Sequence, residues 1–191
     1  MPGEYIARWE KSSFRYSCEY PWTLTRDAAL HVQRLLSTLD HNFELADGVA
    51  RHRTSIVEEG ATIKGPAIIG ENCFIAAGAL LRGGCYLERD CIIGPGSEVK
   101  SSFLFSHTRL AHFNFVGDSI LGEDVNLEAG SIIANYRNEL PGKTIRIGET
   151  DTGVFKFGAV VGDRARIGAN AVIAPGAMIQ PSRIQSGAIP A

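Results

Sequence analysis

Aliphatic residues recur at every sixth position through the middle of the chain. Ile63, Ile69, Ile75, Leu81, Leu87, Ile93 and Val99 follow one another without a slip, and small residues stand four places after the first five: Ala67, Cys73, Ala79, Cys85 and Cys91. A period of six matches neither the 3.6 of a helix nor the alternation of a single long strand. It suits a parallel β-helix in which each hexad is a short strand and a turn. The aliphatic side chain then points inward, the small one fits beneath the corner, and glycine, asparagine or aspartate supplies the tight turn.

The pattern resembles the left-handed β-helix of hexapeptide acyltransferases, in which three hexads make one triangular coil. That resemblance implies that residues 18 apart stack vertically. The register is strained over 103–116, resumes at Leu121, Leu127 and Ile133, and returns at Val161, Ile167, Ile173 and Ile179 after a break. The interruption NYRNELPGKTIRIGETDTGVFKF is too long for an unstructured connection in a compact solenoid, and such loops are usually functional. Before the repeat, residues 1–22 form an irregular arm carrying Trp9, Phe14, Tyr16, Tyr20 and Trp22. Leu24, Ala28, Val32, Leu35, Leu36 and Leu39 predict a helix with Thr25 as N-cap, Asp27 in the first turn and an end near Asp40. The expected fold is therefore all-β, a left-handed parallel β-helix over 48–191 with an inserted loop at about 135–158, preceded by an arm and helix over 1–47. The helix is expected to cap one end, and a homo-oligomer to bury the flat faces.

Composition narrows the function classes. With 19 basic against 21 acidic residues, nothing in the totals calls for a nucleic-acid or membrane-surface partner. No apolar run approaches the roughly 20 residues of a membrane span, and MPGEYIARWEKSS is unlike a signal peptide, so a cytoplasmic location is expected. Cys73, Cys85 and Cys91 occupy the small-residue slot, and with Cys18 they make no CxxC pair, so packing is expected over metal or redox chemistry.

Chemistry-bearing side chains cluster in and before 111–136. Arg82 and Lys100 each follow an inward aliphatic residue and are 18 apart. They form either an anion clamp or two solvated surface charges. His112 is either a structural histidine or a general base, since imidazole, with an unperturbed pKa near ~6.5, is the usual proton acceptor at neutral pH. His107 and His112 invite a zinc reading of the γ-carbonic-anhydrase kind, but the third histidine is missing and Glu71 stands in its place. Asn126, Asn135 and Tyr136 are turn or loop residues that also offer polar contacts.

Position by position, EVKSS, AHFNFVGDSILGEDVN and AGSIIANY are similar to the acetyltransferase domain of the bifunctional N-acetylglucosamine-1-phosphate uridyltransferase/glucosamine-1-phosphate acetyltransferases. DTGVFKFGAVVGD and the YPW-plus-helix segment look still more like the C-terminal part of archaeal sugar-1-phosphate nucleotidyltransferases that also acetylate amino sugars. The resemblance implies an N-acetyltransferase using acetyl-CoA on an amino-sugar 1-phosphate, as a homotrimer and without a metal. It implies that Arg82 and Lys100 bind the sugar phosphate and that His112 deprotonates the amine with Glu98 as orienting carboxylate. Asn126 and Asn135 would position the sugar or its amine, and Tyr136 and the backbone at Ala129 would line the acetyl group. Arg164, Arg166 and Arg183 would meet the coenzyme phosphates. Two departures stand out: Phe115 replaces a tyrosine, and Glu128 a glycine. The 62 residues before Ile63 hold no glycine-rich nucleotide loop, so nucleotidyl transfer is not expected. The rival readings are a non-catalytic solenoid binding sugar nucleotides or a partner, and the metalloenzyme.

Overall fold

A computed structural model describes residues 2–15 and 19–185; Tyr16 and Cys18 lie outside them. The hexads wind into a parallel solenoid with three faces. Among the described residues these are sheets of eight, seven and six strands. The inward residues Ile69, Ile75, Leu81, Leu87, Ile93, Leu104, Leu110, Val116, Leu121, Leu127 and Ile133 form one continuous core with the small-slot residues between them. Backbone with positive φ collects at the corners, on glycine, asparagine and aspartate for the most part. Those residues tolerate the left-handed region with least strain.

Stacking by 18 residues holds for Ile69 over Leu87 and Arg82 over Lys100, but it does not hold throughout. Leu87 pairs with Leu104 and Val99 with Val116, both 17 apart. The strained register is thus two five-residue steps, Val99 to Leu104 and Val116 to Leu121, at one corner of successive coils. Where the earlier coil turns that corner on Gly83 and Gly84, the later two use Ser101 and Asp118 at φ 48° and 47°. In the same coils the small slot becomes polar. Ser97, Ser102, Thr108, Asn114, Ser119 and Ser131 are buried there, and Thr108 Oγ1 donates to the Gly122 carbonyl at 2.8 Å. A buried hydroxyl needs such a partner.

The eight-stranded face is covered. Its outward residues Ile68, Phe103, Ile120 and Val160 are apolar and lie under Ile6, Trp9, Phe14, Trp22, Leu24, Ala28 and Val32. This apolar outward column is the surface on which the amphipathic segments dock. The expected single helix is two, α1 (Pro21–Arg26) and α2 (Ala28–Leu36), broken at Asp27. Pro21 opens α1, as proline does at a first helical position, and Thr25 is buried within it, donating to the Trp22 carbonyl. Neither helix caps an end of the solenoid; α2 lies across the covered face, so near it that a Cβ on Gly84 would run into the backbone of Ala28 and Ala29. Phe14 packs edge-on against Phe103 at 4.7 Å and Tyr86 at 4.9 Å, and Asp163 holds the arm through the Ala7 amide at 2.9 Å.

The insertion leaves the coil at Asn135 and rejoins it at Gly158. The Phe157 amide donates to the Asn135 carbonyl at 3.0 Å, and the Gly158 amide to that of Asp118 at 2.9 Å. Between them a short hairpin pairs Arg146–Ile147 with Thr150–Asp151, and Ile145, Val154 and Phe157 bury into the covering cluster. The loop is thereby anchored beside the same corner that the two short steps tighten. No helix among the described residues is long and apolar enough to cross a membrane.

Candidate active site

The six-stranded face carries two outward columns. One runs Thr62, Leu80, Glu98, Phe115, Ile132 and Val172; beside it Arg82 stacks on Lys100 and Lys100 on Gly117. On this face lies a cleft of about 480 Å³, lined by Arg82, Lys100, Phe115, Asn135, Tyr136 and Lys156. Gly117 does not have a positive φ; its lack of a side chain is needed for close approach. A Cβ there would sit 2.7 Å from Asn135 Nδ2 and 2.8 Å from the Phe115 ring.

Each stacked cation has its own carboxylate. Arg82 forks onto Glu98 Oε1 through Nε at 2.7 Å and Nη2 at 2.6 Å. Lys100 lies 2.8 Å from both oxygens of Asp118 and 3.3 Å from Ser101 Oγ, so its three N–H donors all have partners. Like charges stacked on adjacent coils are thus compensated within the protein. Glu98 pairs with Arg82 rather than with His112, the partner expected for it. Lys156, at the end of the insertion, is exposed and makes no ion pair among the described residues. Sequence reasoning passed over it, although the long interruption in the hexad register pointed to that segment.

His112 stands at the opposite edge of the same face, exposed, three residues before Phe115. Its carbonyl accepts from the Gly130 amide at 2.9 Å, which places Ala129 and Gly130 directly over it in the next coil. Next to it Phe113 is 72% exposed with φ 52°, a conformation a bulky residue seldom takes. The structure therefore gathers Arg82, Lys100, Phe115, Asn135 and Tyr136 in one cleft, with Lys156, and leaves His112 and Ala129 outside the residues that line it. Glu128 has a local role: its carboxylate accepts from the Ala169 amide at 3.0 Å, as Glu58 does from Ala77 at 2.8 Å.

Asn126 belongs to another face. It lies between Arg109 and Arg166 on the seven-stranded sheet. Arg166 pairs with Asp124 at 2.7 Å, and Arg164 donates to Ser182 Oγ at 3.3 Å. Arg164 also lines a second hollow of about 270 Å³ with His107, Arg109, Glu123 and Asp124, and the Arg183 carbonyl holds the Arg166 amide at 2.8 Å. Within one chain these arginines are therefore separated from the cleft by the edge on which His112 stands. His107 and His112 occupy different corners of one coil, with the Arg109–Leu110 strand between them, so they do not converge within the chain. Cys85 is packed behind the cleft, its thiol 3.3 Å from the Arg82 carbonyl, and burial pushes its pKa up to about 11. It is a core residue and not a nucleophile.

Comparison with known proteins agrees with this architecture. The family model described as bacterial transferase hexapeptide (six repeats) matches residues 66–101, and that of the hexapeptide repeat of succinyl-transferase matches 153–179. A bifunctional sugar-1-phosphate nucleotidylyltransferase/acetyltransferase from Sulfurisphaera tokodaii is 37% identical over 159 residues, covering 70% of this chain and 38% of its own length. The bifunctional protein GlmU of Methanococcus aeolicus is 31% identical over 166 residues, covering 83% of this chain and 40% of its own. The chain thus spans about 40% of the length of these relatives. Among solved structures, a hexapeptide transferase family protein from Anaplasma phagocytophilum overlays with TM-score 0.37 at 21% identity, covering 73% of this chain and 70% of that one, a likeness too loose to speak to function. Repeat and solenoid together make this a hexapeptide-repeat protein, and the families its repeats match are transferases. Within that class, the chain resembles the C-terminal domain of GlmU and the archaeal sugar-1-phosphate enzymes.

Proposed function

We propose that this chain transfers the acetyl group of acetyl-CoA to the amine of an amino-sugar 1-phosphate, glucosamine or galactosamine 1-phosphate, without nucleotidyl transfer. The observation that carries this reading is the cleft on the six-stranded face, where Arg82 and Lys156 flank a pocket closed by Phe115, Asn135 and Tyr136. A phosphate monoester matches a guanidinium and an ammonium in one cleft, and Phe115 gives a sugar ring an apolar surface. In the reaction a bond forms between the amine nitrogen and the thioester carbonyl carbon, and the C–S bond breaks. Coenzyme A leaves as the thiolate, and the proton lost by nitrogen passes to His112. The cofactor supplies the activated acyl group; the protein supplies orientation and a base.

Arg164, Arg166 and Arg183 lie on a different face from the cleft, which favours a coenzyme site shared between copies in a homotrimer. A cytoplasmic location accords with a sugar-phosphate substrate. The position of His112 outside the residues that line the cleft favours a second reading, sugar-phosphate binding without turnover. One experiment separates the two: thiol release from acetyl-CoA with glucosamine 1-phosphate and galactosamine 1-phosphate, beside calorimetry with the same sugars. Turnover with either sugar supports acetyl transfer; binding without thiol release supports the second reading.

A further inference from the structure

We propose that Asp118 is a positioning residue for the acceptor amine: its carboxylate fixes the Asn135 amide so that the amide oxygen faces the cleft as a hydrogen-bond acceptor. This inference rests on the acetyl-transfer reading above.

Asp118 sits at the second of the two short corner steps, with φ 47° and its side chain only 6% exposed. The coils before and after it both meet it. Lys100 from the preceding coil donates to both of its oxygens at 2.8 Å, and Asn135 Nδ2 from the following coil donates to Oδ2. Its backbone amide donates to the Lys100 carbonyl at 2.8 Å, and its carbonyl receives the Gly158 amide at 2.9 Å where the insertion rejoins. A carboxylate paired with an ammonium only accepts hydrogen bonds, so the amide nitrogen of Asn135 is the end that faces it. The amide oxygen is left as the free end of a side chain that lines the cleft and lies over Gly117.

That orientation has a chemical use. The attacking amine is neutral, with N–H donors and one lone pair. An oxygen that accepts one N–H turns the lone pair away from Asn135, whereas an amide NH₂ in the same place would hydrogen-bond the lone pair and block attack. Asp118 also occupies the donors of Lys100, which leaves the phosphate to Arg82 and Lys156. The charged groups around Asp118 are Lys100, Lys156, Arg26 of α1 and, across the cleft, Arg82 with Glu98.

The test uses the full chain, acetyl-CoA and the better of the two amino-sugar phosphates. Asp118→Asn lets the Asn135 amide turn over, and kcat should fall about ten- to a hundredfold while KM for the sugar phosphate stays within about threefold. Asn135→Asp places two carboxylates side by side; a proton shared between them makes the introduced carboxyl resemble the amide it replaced, so the ratio of variant to parental kcat should rise as pH falls. The exchange Asp118→Asn with Asn135→Asp restores a donor facing an acceptor and an oxygen in the cleft, and should recover about tenfold or more over Asp118→Asn. A purely structural role would change thermal stability without this pH response, which the Asn135→Asp protein reports even if Asp118→Asn fails to fold. Parental turnover with kcat unchanged in Asp118→Asn, or with a parallel pH profile in Asn135→Asp, overturns the inference alone. A parent without turnover overturns the acetyl-transfer reading and this inference with it.

Discussion

Lys100 and Lys156 both line the cleft, yet their replacement should give opposite phenotypes. Lys156 has no carboxylate partner among the described residues and is exposed. Replacing it with methionine removes one charge-assisted hydrogen bond to the phosphate, worth about 1.5–3 kcal/mol. At about 1.4 kcal/mol per decade, KM for the sugar phosphate should rise about 10- to 150-fold. Folding stability should stay within about 0.5 kcal/mol, as for other surface substitutions. Lys100→Met instead strands the carboxylate of Asp118, whose side chain is 6% exposed against 17% for Lys100. Breaking a buried pair from one side costs about 3–5 kcal/mol, and the Asn135 hydrogen bond that remains holds the loss to the lower end. For a chain of this size, about 3 kcal/mol lowers the melting temperature by roughly 6–12 °C. Initial rates by thiol release, with the sugar phosphate varied, and thermal unfolding of both variants check the contrast. A Lys100→Met protein with parental stability and a raised KM, beside a Lys156→Met protein with parental kinetics, would refute the reasoning.

Three further outcomes are expected. Gly117→Ala forces the Asn135 amide off the strand, because the new Cβ would lie 2.7 Å from Nδ2, so kcat should drop about ten- to a hundredfold with the fold intact by circular dichroism. His31 on α2 has its pKa lowered, mainly by burial, with Asp27 opposing and Arg34 adding to the shift. Stability from the neutral imidazole is complete above the unfolded value near ~6.5 and is lost as pH falls toward the folded value, so urea midpoints should decline below about pH 6.5 and decline less in His31→Phe. Cys73, Cys85 and Cys91 are buried, and burial pushes the Cys85 thiol up to about 11. Native protein at pH 8 should resist alkylation at these three cysteines, and urea should expose them together.

The solenoid was legible because its signal is local: each inward residue of the core can be read from its neighbours six places away. How the chain closes a corner is not local. Val99 to Leu104 and Val116 to Leu121 read as a lapse in register, since nothing in SSF or DSI states that one residue fewer will turn the corner. The period of the helix residues told of an apolar stripe but not of its target, which is the apolar outward column of Ile68, Phe103, Ile120 and Val160. In the cleft, resemblance supplied the names of Arg82, Lys100, Phe115, Asn135 and Tyr136 but not their pairings. Nothing in the sequence singled out Asp118; its contacts come from Lys100 and Asn135, 18 and 17 residues away. Asn126 joined the same list through resemblance, and in the solenoid it stands on a different face.

The central claim is that this cleft presents an amino-sugar phosphate to acetyl-CoA with His112 as the base. Turnover of the parent and of His112→Ala on glucosamine 1-phosphate, followed by thiol release and by detection of the N-acetylated sugar, tests it most directly. The predicted result is an acetylated product from the parent, and a kcat about 10²–10⁴-fold lower in His112→Ala with KM for the sugar phosphate little changed. Turnover of His112→Ala within a few-fold of the parent would contradict it.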